Sequence, residues 1–104
     1  MKWYHYVMCF FGGAFVANFI PHFVEGITGN AFPWAGNPPP NVSPSTTNIL
    51  WGLSNLIVGY LLLRFGKFRI AGAWVPLAVA FVGFALMAYM LAGAFTQVPG
   101  VRPA

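Results

Sequence analysis

An amide, an imidazole and a carboxylate stand at Asn18, His22 and Glu25, spaced i, i+4 and i+7 in an otherwise apolar run. On a helix that spacing sets all three on one face. A second line of polar and small residues runs through Asn48, Gly52, Asn55 and Gly59. His22 and Glu25, one turn apart, have the makings of a proton relay, with Asn18 and Asn55 holding water below them. One histidine and one carboxylate are too few ligands for a metal, so no metal site is expected unless symmetry repeats the pair across subunits. His22 could also serve as a single axial ligand to haem or a chlorophyll-type pigment, with Phe19, Phe23 and Trp34 nearby. Two histidines of one chain cannot clamp a haem, because His5 and His22 lie roughly 25 Å apart along one helix.

The residues around these groups decide what environment they occupy. The chain has 104 residues, of which 59% are hydrophobic and 6% charged, where an average soluble domain carries about 25% charged. A soluble fold of this size needs a polar shell that so few ionisable groups cannot supply. Water-soluble enzymes, disulfide scaffolds and disordered tails are therefore excluded, and the chain reads as an all-α polytopic membrane protein. The net charge of +4 arises mainly from missing acids: Glu25 stands alone against Lys2, Arg64, Lys67, Arg69 and Arg102. Nucleic-acid binding needs basic residues clustered on a solvated face, and none is expected here. The lone Cys9 forms no internal disulfide.

Three apolar stretches predict three transmembrane helices in a single membrane domain, at about 3–24, 44–64 and 70–95, with a tail over 96–104. The second is short unless it begins at Ser43-Pro44, where serine suits the N-cap and proline the first helical position. The first resembles a secretory signal at its start, but its apolar run is long, and it is read as a retained helix. Between the first two lies a long Pro/Gly-rich loop over 26–43, without Lys or Arg. Lys2, Arg64, Lys67 and Arg69 gather on the other side, so the positive-inside rule places the N-terminus in the cytoplasm and the loop outside, as in a bacterial inner membrane. Pro38-Pro39-Pro40 predicts an extended segment. Phe32 and Trp34 suit either a compact lid with Trp34 at headgroup level or a stiff connector whose aromatics wet the interface. The sequon Asn41-Val42-Ser43 is followed by Pro44 and is discounted.

Antiparallel alignment of the first two helices pairs Glu25 with Asn48, His22 with the Gly52 level, and Asn18 with Asn55. Gly52 and Gly59 permit close backbone approach while the amides supply hydrogen bonds. The ladder is either packing glue or a conduit. Pro21 frees the carbonyl of Ala17 beside His22, a kink that is also ordinary near the end of a span. In the third helix Ala71, Ala78, Ala85 and Ala92 recur every seven residues and predict a packing seam against the second helix or a neighbouring subunit. Gly72, Gly83, Gly93, Met87 and Met90 occupy another face. Met8, Cys9, Met87 and Met90 are better read as lipid or core contacts than as a soft-metal path. His5 is expected at the interface in an aromatic belt with Trp3, Tyr4 and Tyr6.

No nucleophile and base come within reach of one another, so an enzyme is not expected. The leading expectation is a non-catalytic subunit of a homo-oligomer or of a larger membrane complex, in contact with lipid. The alternatives are a small channel or proton-coupled transporter using Asn18, His22, Glu25, Asn48 and Asn55, and an accessory subunit holding haem or a chlorophyll-type pigment through His22.

Overall fold

The computed structural model describes residues 1–68 and 74–96. It is all-helical, with α1 at Trp3–Ile27, α2 at Ser45–Phe65 and α3 at Trp74–Phe95. All three helices are long and apolar enough to cross a membrane. Arg69, Ala71, Gly72, Arg102 and most of the expected tail lie outside the described residues.

Helix α1 begins with a reciprocal cap. The backbone N–H of Lys2 donates to Nδ1 of His5 at 2.9 Å, the third helical side chain reaching back to an otherwise unpaired donor. His5 is buried, 7% exposed, with the Tyr4 ring 4.6 Å away. Its cap bond and the packing of Gly66 at the α2 terminus turn it toward the protein. The helix runs through Pro21 and ends three residues later than expected, because Gly26 packs on Ser45 and Ile49. Gly29 then takes a left-handed turn at φ 79°, a conformation that costs glycine nothing.

Helix α2 starts at Ser45, one residue later than the sequence implied, with Pro44 as its cap residue and no side-chain cap bond. Ser43 is not a helix cap because the loop claims it. Its backbone exchanges both hydrogen bonds with Phe32, and its Oγ accepts from Trp34 Nε1 and Asn37 Nδ2. The triple proline is not an extended rod: Asn41 N–H bonds the Pro38 carbonyl across a turn. That turn needs a donor only at Asn41, so the missing proline N–H groups do not oppose it. The loop is compact, with Phe32 and Pro33 buried and Trp34 against Trp51 at 5.4 Å. At the far end of α2, Lys67 adopts a left-handed φ of 57°, and Phe68 N–H returns to the Leu63 carbonyl.

Helix α1 is the centre. Both α2 and α3 pack on it, and among the described residues the backbones of α2 and α3 do not approach each other. The residues α2 buries are Asn48, Gly52, Asn55 and Gly59, with no aliphatic side chain among them. Lipid is as apolar as leucine, so hydrogen bonds and close backbone contact replace the hydrophobic drive of water-soluble packing. Gly52 meets the backbone of Phe19 and Phe23, and Gly59 meets Gly12 and Val16.

The α3 seam departs from the alanine heptad. Pro76, Ala80 and Gly83 are buried, whereas Ala78 and Ala85 are half-buried and Ala92 is exposed. A Cβ on Gly13 would strike the Ala80 backbone, and one on Gly83 would strike Phe10. The partner is α1, not α2, because the glycines of α1 let a second backbone approach closely. Pro76 falls in the first turn, where its missing N–H leaves no helical bond unmade.

Candidate functional site

The polar groups of α1 and α2 meet where the loop folds back over them. Asn18 Nδ2 donates to Asn55 Oδ1 at 3.0 Å, and Asn55 Nδ2 donates to the Trp51 carbonyl at 2.8 Å. One turn nearer the loop, His22 Nδ1 lies 2.8 Å from Asn48 Oδ1. Asn48 Nδ2 donates to the carbonyl of Phe32 at 2.7 Å, with the Ser43 and Pro44 carbonyls at 3.4 Å. Three carbonyls around Nδ2 fix the amide orientation, so Oδ1 faces the imidazole and accepts. With Oδ1 accepting, His22 Nδ1 is the donor of this bond.

Asn48 is thus the junction of three elements. It links the imidazole of α1 to its own helix and to the loop backbone, and it is completely buried. Its place follows from sequence position: four residues after Pro44, its side chain lies over the turn that precedes it, beside the returning loop.

The expected ladder is brought together in part. Asn18 and Asn55 face each other; Gly52 packs on the α1 turn that carries His22, and the imidazole itself bonds Asn48. Glu25 does not meet Asn48. Its Oε2 accepts from Asn30 Nδ2 at 2.9 Å, and its carbonyl accepts the Asn30 N–H. The carboxylate thereby fastens the turn leaving α1, and the loop occupies the space through which it would have reached Asn48. Among the described residues, every buried side-chain nitrogen and oxygen has a hydrogen-bond partner.

Beyond Asn18 and Asn55 the polar line stops. The next α1–α2 contacts are Val16 and Gly12 against Gly59 and Leu63, followed by Cys9 Sγ donating to the Gly66 carbonyl at 3.3 Å. This apolar stretch from Asn18 to Cys9 spans about 13 Å of helix.

His22 is walled edge-on by Phe32 at 5.7 Å, Phe95 at 5.9 Å and Trp51 at 6.5 Å. Beside it lies an open cavity of about 250 Å³ bounded by Asn18, Trp34, Trp51, Met87 and Phe95, smaller than the roughly 300–1,000 Å³ of sites for drug-sized ligands. Among the described residues no three His, Cys, Asp or Glu side chains converge as metal ligands. Met8 and Cys9 stand near one end of α1, far from Met87 in this cavity, and Met90 is exposed.

Sequence reasoning missed Phe95 and its pairing with Phe32, whose rings meet at 4.5 Å beside His22, and the Gly12-Gly13 contacts. The adjacent glycines were a readable signal for close packing on two sides of α1; the Phe32–Phe95 pair had none. No protein-family profile matches the chain, and no curated protein or solved structure matches it either.

Proposed function

We propose that this is a non-catalytic integral membrane protein that acts by assembly, as a subunit of a homo-oligomer or of a larger membrane complex. The observation that carries this reading is the closure of the polar ladder. Asn18, His22, Asn48 and Asn55 spend their hydrogen bonds on one another, on the Trp51 carbonyl of α2 and on the loop backbone. Such a ladder fixes a shape, and a conduit would need polar groups continuing past Asn55. Many large apolar side chains of α2 and α3, including Leu50, Ile57, Leu86 and Tyr89, stay exposed and can meet lipid or other subunits. The half-buried Ala78 and Ala85 offer small side chains for such a contact.

The N-terminus and the α2–α3 link are assigned to the cytoplasm of a bacterial inner membrane, with the loop outside. Supporting this, His5 and Cys9 abut Gly66, which puts Lys2, Arg64 and Lys67 at one end of the helices.

The test is the mass and composition of the particle extracted from native membranes in mild detergent. A particle holding several copies or other subunits, and losing them on Ala78→Leu with Ala85→Leu, is the expected result. A monomer that retains only lipid contradicts the reading. A second reading, an accessory protein holding a small neutral ring compound, rests on the cavity beside His22. A visible absorbance band in the purified protein that disappears in His22→Ala would instead favour a pigment bound at the mouth of that cavity.

A further inference from the structure

The backbones of α2 and α3 stand apart on α1, and the space between them is a groove with a charged end. Two adjoining cavities, of about 780 and 320 Å³, share Val16 and Leu63 as common lining. Leu56 belongs to the α2 wall of the larger one, and Leu77 and Phe81 form the α3 wall of the smaller. Arg64 and Lys67 line the larger cavity at the end of α2. No side-chain carboxylate can neutralise them, because the only one in the chain is Glu25, at the opposite end of α1 and bonded to Asn30.

Each cation has an ordinary explanation on its own. Arg64 sits in the last turn of α2, where a positive charge suits the helix dipole, and both fit the positive-inside rule. Neither explanation accounts for their lining a cavity that adjoins an apolar cleft between α2 and α3. Lys67 moreover occupies a left-handed backbone position that glycine would fill at lower cost.

We propose that this groove holds an anionic phospholipid, its phosphate between Arg64 and Lys67 and one acyl chain lying over Val16 between Leu63 and Phe81. Basic pockets between helices at a membrane surface recognise anionic head groups, and guanidinium binds phosphate oxygens in pairs. The acyl chain fills the gap where α2 and α3 do not meet. This site is independent of the ladder and of the subunit reading.

The experiment uses the full-length protein in vesicles of phosphatidylcholine containing a trace of spin-labelled phosphatidylglycerol or spin-labelled phosphatidylcholine. Immobilised label should favour phosphatidylglycerol by at least about fivefold. Arg64→Gln combined with Lys67→Gly should bring the ratio close to one. Lys67→Gly alone should lower the ratio while leaving thermal stability unchanged or raised, which separates lost binding from lost folding. Equal association of the two lipids in the wild type, or a preference untouched by the double substitution, would overturn the proposal. Release of the labelled lipid by millimolar inorganic phosphate would overturn the acyl contact.

Discussion

At the scale of single residues, the polar groups differ in what they hold, and their removal should differ accordingly. Asn48 satisfies an imidazole on one side and a backbone carbonyl on the other. Asn48→Ala removes the amide partner of the imidazole and leaves the Phe32 carbonyl with only its Ser43 bond, a loss of about 1–3 kcal/mol. Asn18→Ala removes one interhelical bond, worth about 0.6 kcal/mol on average in membranes. Thermal unfolding in detergent should rank Asn48→Ala well below Asn18→Ala; equal losses would mean that Asn48 is not the junction. Much of this was legible: the i, i+4 and i, i+7 spacings placed Asn18, His22 and Asn55 on facing sides. The partner of Asn48 was not, because alignment by depth knows nothing of a loop that folds back and displaces Glu25.

Among the helices, α1 carries two interfaces of different kinds. The α2 side joins amides and glycines, whereas the α3 side is a contact of Gly13 with Ala80 and Gly83 with Phe10. Gly83→Val should drive α3 away from α1, lengthening the distance between spin labels on exposed positions of the two helices. Ala85→Leu should leave that distance unchanged. The opposite ranking would restore the alanine heptad as the internal seam. Helix number and approximate span were readable from apolar run length alone. The seam of α3 was not, because alanine and glycine recur on several faces of that helix, and only the partner decides which face is used. On α1 the adjacent Gly12 and Gly13 carry no mark of which helix approaches each of them.

At the scale of the whole molecule, a central helix is flanked by two others, with a folded loop over one end. If the loop lies outside and the basic end inside, Asn41→Cys should react with a membrane-impermeant maleimide in intact cells. Lys67→Cys should react only after permeabilisation, and the reverse pattern would invert the topology. A closed ladder also implies that vesicles containing the protein show no proton flux above the lipid background, with or without His22→Ala. Flux abolished by that substitution would make the ladder a conduit.

The most direct measurement is a double-mutant cycle on His22 and Asn48, read as unfolding free energy in a membrane-like environment. Direct bonding of imidazole to amide, with the loop closed over both, predicts a coupling of about 0.5–2 kcal/mol. Losses that add to within about 0.3 kcal/mol would show the two side chains to be independent, and the locked architecture would fall with them.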